Sequence, residues 1–124
     1  MAKETEWTKF KIELRERLKK FALDIIKLVQ DLPKTSESKT IGNQLLRSGT
    51  STYANYRAAL RGRSRAEFYS KLSISVEEGD ESEMWLDILI ESEISNTEET
   101  KRLHTESMEV IKILSHLRKT VGKK

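Results

Sequence analysis

Phe10, Leu14, Leu18, Phe21, Ile25, Leu28 and Leu32 recur at intervals of three and four residues. That spacing predicts a long amphipathic helix with one apolar stripe. Asp31-Leu32-Pro33 ends it, because the residue before a proline is pushed out of the helical region. Residues 1–8 are expected to be a frayed end, with Trp7 docking on the rest. Arg15, Arg17, Lys19, Lys20 and Lys27 lie around the polar sides. Arg17 falls beside the apolar stripe, where its stem packs while its head reaches water.

A second helix, running to about Arg61, is read from Ile41, Leu45, Ser48, Thr52, Asn55, Tyr56 and Ala59. Its composition is unusual, since Gly, Ser, Thr and Asn have weak helix propensity. The core face is therefore narrow and partly polar, and small residues let a neighbouring backbone come close. Ser48, Thr52 and Asn55 then need partners, because an unpaired buried polar group costs roughly 1–3 kcal/mol. Ser36 or Ser38 caps the start by accepting from free backbone N–H groups. Gly62-Arg63-Ser64 is the next turn, with Gly suited to a C-terminal cap.

A third helix is predicted over residues 65–92, opened by Ser64 and Glu67 at capping-box spacing. Its stripe is Phe68, Leu72, Ser75, Gly79, Ser82, Leu86 and Leu89. Gly79 costs roughly 1 kcal/mol against Ala. It either permits close contact with the small stripe of the second helix or marks a break at Gly79-Asp80; contact is the preferred reading. Ile74, Trp85 and Ile88 form a second apolar set, nearly opposite the first. A surface helix needs only one stripe, so this set predicts a subunit interface. Residues 95–99 form a loop and cap, with acids at a helix start as the dipole favours. Leu103, Ser107, Val110, Ile111, Leu114, Leu117 and Val121 mark a fourth helix, followed by a basic tail of Lys119, Lys123 and Lys124. Four amphipathic helices joined by short links predict an all-α, antiparallel up-down-up-down bundle, one domain over residues 1–124.

Composition agrees. Charged residues make up 35% of 124, with 5 Gly and 1 Pro, which favours a helical chain with one core. The absence of Cys excludes disulfides and thiolate chemistry and fits a reducing cytoplasm, the expected location. No apolar run approaches the roughly 18–20 residues of a membrane span. Residues 1–6 lack the apolar core of a signal peptide. Net charge is +3, but residues 1–65 hold 15 Lys and Arg against 7 Asp and Glu, while residues 66–124 hold 8 against 13. Residues 77–99 carry ten acids and no base. Either the protein has a basic and an acidic face, or its helices alternate charge to pair with one another.

Catalytic and metal signatures are weak. His104 and His116 are twelve residues apart on one helix, about 120° around it, and read as surface residues. Without an i, i+4 histidine pair or Glu-x-x-His, neither a zinc helix nor a di-iron bundle is indicated. Glu77, Glu78, Glu81 and Glu83 read as a solvated acidic face or as partners for the basic helices. Ser48-Gly49 lacks the context of a nucleophile elbow. The chain is expected to be no enzyme and to hold no cofactor.

Two motifs carry a family resemblance. "QLLRSGTSTYAN" and the later "KLSISVEEGDESEMWL" resemble the small four-helix-bundle proteins encoded in intervening sequences of bacterial 23S ribosomal RNA genes. The resemblance spans residues 10–117. A relative of that family is the accessory protein of diversity-generating retroelements, which assists a reverse transcriptase. The resemblance implies a homopentamer arranged as a barrel, a basic bundle that contacts nucleic acid, and a reverse transcriptase as a possible partner.

The candidate binding residues are Lys39, Arg47, Arg57 and Arg61 on one exposed helical face without acids, extended past the turn by Arg63 and Arg65. Such residues give sequence-independent affinity for RNA or DNA phosphates. Tyr53, on the flank of this face, is placed to stack on a base. The rival reading is a structural or interaction module that docks a protein, such as a reverse transcriptase, without touching nucleic acid.

Overall fold

Helices α1 (Ala2–Gln30), α2 (Ser36–Leu60), α3 (Arg65–Glu91) and α4 (Glu98–Gly122) account for almost all of the described chain. The computed structural model describes the backbone of residues 2–122 and the side chains of residues 5–122. No strand occurs among them. The expected frayed end is corrected over the described residues: residues 2–8 are already helical, Met1 lies outside the described residues, and Trp7 stacks on Phe10 one turn later, ring centroids 5.7 Å apart. Lys119 belongs to α4, and Lys123 and Lys124 lie outside the described residues.

Local chemistry sets the ends. Thr35, not Ser36 or Ser38, caps α2; its extended backbone (φ −117°, ψ 164°) aims the hydroxyl at the N–H of Ser38, 3.2 Å away. Ser64 caps α3 by accepting from the N–H of Glu67 at 3.1 Å. Glu67 reaches back to the N–H of Arg63 rather than Ser64, at 2.9 Å, so the predicted box is displaced by one residue. Thr97 caps α4 by accepting from Thr100 at 3.1 Å. Gly62 does not take the left-handed conformation predicted for a C-terminal cap. It is small because a Cβ there would stand 3.1 Å from both Ala59 O and Phe68 N. The left-handed position falls instead on Glu93 (φ 63°), just past α3.

Two apolar clusters fill the interior. One gathers Leu14, Leu18, Tyr56, Leu72, Val76, Val110, Leu114 and Leu117. The other gathers Phe21, Ile25, Leu28, Leu32, Leu45, Leu86, Leu89 and Leu103. Each fully buried aliphatic or aromatic side chain contributes about 1.5–3 kcal/mol. Phe10, predicted for the stripe, is 38% exposed.

Between the clusters the small residues meet as predicted. Ser75 Oγ donates to Thr52 O at 2.7 Å, and Ser82 Oγ donates to Ser48 Oγ at 2.8 Å. Gly79 sits in this seam: a Cβ there would stand 3.3 Å from Ile111 Cγ1 and 3.6 Å from Thr52 Cγ2. The helix runs unbroken through it. Asn55 is the exception. It is half-buried and donates to Ser51 O at 3.0 Å within its own helix. A second close approach, not predicted, brings Gly49 of α2 against Ile25 of α1. Tyr56 spans the same helix pair, its hydroxyl donating to Lys11 O at 3.0 Å. Burial pushes that phenol's pKa up, opposed by the Arg15 charge.

Candidate nucleic-acid interface

The six cations singled out in the sequence do not form one stripe. Arg47 leaves it: its guanidinium donates to Glu78 Oε1 at 2.9 Å and also to Glu81 of α3. The side chain is long enough to cross the α2–α3 seam, so a Cβ on the outer face ends on the neighbouring helix. Its pKa is raised by the hydrogen bonds to Glu81 and Glu78. Arg65 donates twice to Val121 O, at 2.9 and 3.1 Å, closing the end of α4. Lys39 is exposed near the start of α2, 18 residues and roughly 27 Å of helix from Arg57. Arg57 lies over the Tyr53 ring, 5.8 Å from its centroid, and is half-buried. Arg61 is exposed and makes no ion pair with a described residue. Arg63 is 90% exposed and only 3.7 Å from Glu67. Arg57, Arg61 and Arg63 thus remain available together, at the end of α2.

Helix α1 adds to them. Lys11 shares a cleft of about 620 Å³ with Trp7, Leu60, Arg65, Phe68 and Val121, where ends of all four helices meet. Arg15 lies near enough for its charge to act on the Tyr56 hydroxyl. The four-residue spacing of Lys11 and Arg15 carried this signal, but which partner helix they flank was not readable from periodicity.

Charge is divided along the molecule. Residues 5–19, 49–78 and 108–122, the half around the first core cluster, hold 13 Lys and Arg against 7 Asp and Glu, a net of +6. Residues 20–48 and 79–107, around the second, hold 7 against 12, a net of −5. Both alternatives left open by the sequence are therefore realised. Some cations pair across helices, as Arg47 does and as Arg17 does with Glu106 at 2.7 and 2.8 Å. The rest collect at one end.

The acidic half is also cross-linked. Asp24 accepts from Arg102 of α4 at 2.9 Å and from Lys20 at 3.0 Å. Burial pushes its carboxyl up, but the hydrogen bonds from Lys20 and Arg102 outweigh this and hold it below its ordinary value. Hydrogen bonds from Arg47, and then from the Trp85 N–H, hold Glu81 low; Arg102 does the same for Glu99. A carboxylate depressed in the folded state contributes stability above its unfolded pKa and loses it as pH falls through the folded value. The ordinary values are 3.8 for Asp and 4.5 for Glu. The melting temperature is therefore expected to fall on acidification below about pH 4.5, read by circular dichroism. A melting temperature that rises there would contradict these pairs.

The predicted interface residues Ile74, Trp85 and Ile88 are all half-buried rather than standing free opposite the core. Trp85 packs on the second core cluster and its N–H donates to Glu81 Oε2 at 3.0 Å. The large exposed apolar side chains include Ile12 (42%) and Leu23 (52%) of α1, Met84 of α3 and Met108 of α4. His104 is not a free surface residue: its Nε2 lies 2.7 Å from Glu83 Oε2, joining α3 to α4. His116 is exposed. Among the described residues no three His, Cys, Asp or Glu gather as a metal site. No helix among them is long and apolar enough to cross a membrane.

Comparison with known proteins agrees with this fold. A crystal structure of a protein of unknown function from the S23 ribosomal protein family of Bacteroides thetaiotaomicron superposes with a TM-score of 0.79 at 35% identity, covering 86% of this chain and 98% of that one. No curated protein matches. The family described as 23S rRNA-intervening sequence protein matches residues 11–116. The chain belongs to the 23S rRNA-intervening sequence protein family.

Proposed function

We propose that this protein is a non-catalytic, oligomeric nucleic-acid-binding protein, built on an antiparallel up-down-up-down bundle. The order of helix partners supports that course. Ile25 meets Gly49 while Val29 and Leu32 meet Gly42; Ser75 meets Thr52 while Ser82 meets Ser48. In both pairs the partner number falls as the first rises.

The observation that carries the binding reading is the group of cations at the basic end that no ion pair ties to another helix: Lys11, Arg15, Arg57, Arg61 and Arg63 around the α1–α2 seam. Arg15 keeps only a 3.3 Å contact to its neighbour Glu16, a pair too exposed to hold it firmly. These cations sit where the local net charge is +6, so phosphates are the fitting ligand. Lys39 stands apart and plays a lesser part. Arg47 and Arg65 hold the bundle together.

Self-association is the second element of the proposal. Ile12 and Leu23, with half-buried Ile26, place exposed apolar side chains among the charged residues of the outer face of α1. A copy of this chain covering it would repeat the basic end around a symmetric assembly, turning a few weak contacts into a multivalent surface. Five subunits is the count implied by the likeness to retroelement accessory proteins. A reverse transcriptase partner rests on the same likeness.

One titration tests both elements. An RNA hairpin is added to the purified protein at micromolar concentration, and free and bound species are weighed by light scattering. The expected result is an oligomer that binds the hairpin, with affinity falling steeply and log-linearly with salt. A monomer removes the assembly. Failure to bind single-stranded, duplex or structured RNA and DNA at low salt removes nucleic-acid binding and leaves the basic end as a docking face for an acidic protein.

A further inference from the structure

We propose that the cleft at the basic end takes an unpaired nucleobase of a single-stranded segment, with Trp7 as the ring on which it stacks. The inference rests on the nucleic-acid reading above and deepens it. Trp7 is 43% exposed and Phe10 38%, and the two rings lie within 14° of parallel. The pair presents exposed aromatic surface at the edge of the basic end. The cleft beside it has a volume of about 620 Å³ and apolar walls from Leu60, Phe68 and Val121. That is within the usual range for a small-molecule pocket.

Charge selects among occupants. Lys11 Nζ stands 5.1 Å from the Trp7 ring centre, and Arg65 lines the same cleft. A purely apolar ligand would fill the walls and leave Lys11 without a counter-charge, Arg65 being held on Val121 O. A nucleotide in a strand satisfies both: the base enters between apolar walls, and its phosphate remains at the mouth. The Lys11 ammonium, on a flexible stem, gives way to the base and meets that phosphate. Arg57, Arg61 and Arg63 carry the strand onward along the end of α2. Duplex has no free base to offer, so the cleft confers a preference for single strands, loops and ends.

The test uses an RNA strand of about twelve nucleotides, the same strand with abasic positions, and the matching duplex. Wild-type protein should bind the intact strand most tightly. Trp7→Ala should weaken strand binding about tenfold and leave duplex binding unchanged, while Trp7→Phe keeps most of the affinity. Exposure of Trp7 means that the fold should survive, which circular dichroism checks. Equal binding of strand by wild type and Trp7→Ala, or equal binding of intact and abasic strands, overturns the base site while nucleic-acid binding stands. A wild-type protein that binds none of the three probes overturns both.

Discussion

Reversing Arg57, Arg61 and Arg63 to Glu should abolish the proposed nucleic-acid binding while helicity and any oligomer size stay as in the wild type. The expected loss is on the order of a hundredfold or more near physiological salt, read by gel retardation or fluorescence anisotropy. Three cations become three anions, so favourable phosphate contacts are replaced by repulsion, and any assembly repeats the change in every subunit. The residues can be changed because none carries the fold. Among the described residues Arg57 has the Tyr53 ring as its one charged-group contact, Arg61 has no ion pair, and Arg63 holds Glu67 loosely at 3.7 Å. Arg47→Gln is the informative contrast. It lies on the same helix as Arg57 and removes one positive charge, but its guanidinium is occupied by Glu78 and Glu81. It should change affinity by no more than about twofold and cost up to about 1 kcal/mol of stability. Should Arg47→Gln weaken binding as much as the triple reversal, the basic face extends along the whole of α2, and the division of charge by ends is the wrong description.

The contrast between Arg47 and Arg57 marks how far the sequence could be read. Periodicity reports where a Cβ points, and apart from Phe10 and Asn55 it placed the apolar stripes of α1 and α4 and the paired small residues of α2 and α3 correctly. It says nothing about where a long side chain ends. Arg47 crosses to α3, and Trp85 folds back onto the core and finds a carboxylate one turn earlier. Within the single chain both side chains thus have partners that their helical angle did not indicate. The α2 cap failed for a different reason. Thr35, Ser36 and Ser38 all carry suitable hydroxyls, and only the extended backbone at Thr35 decides between them. The cleft was illegible because its walls come from four separated segments, brought together only when the helix ends meet. Trp7 was noticed, but not its company.

Gly49→Leu should be the most destabilising single change in the seam regions, by about 3 kcal/mol or more. A Cβ at position 49 would lie 2.5 Å from Ile25 Cδ1, 3.2 Å from Cγ2 and 3.5 Å from Cβ. The terminal methyl could rotate away from an added methyl group if it had room. It has none: Ile25 is fully buried and belongs to the cluster of Phe21, Leu28, Leu45 and Leu86. A branched side chain at 49 must therefore push α1 off α2. Gly79 is the milder case. Its nearest neighbour would be Ile111 Cγ1 at 3.3 Å, on a half-buried residue with space to give. Gly79→Leu should cost roughly 1–3 kcal/mol. Gly79→Ala should be close to neutral, because about 1 kcal/mol of regained helix propensity offsets the tight contact. Gly49→Ala gains the same propensity and still loses stability. Urea unfolding separates these outcomes as shifts in midpoint at constant slope. An unchanged midpoint for Gly49→Leu would mean that α1 rides farther from α2 than 2.5 Å allows. Spreading of the two helices would reach the proposed function as well, since Lys11 and Arg15 stand on α1 and the arginines at the end of α2. A Gly49 variant that still folds but with its helices spread should therefore bind nucleic acid more weakly than wild type, although residue 49 is buried and touches no ligand.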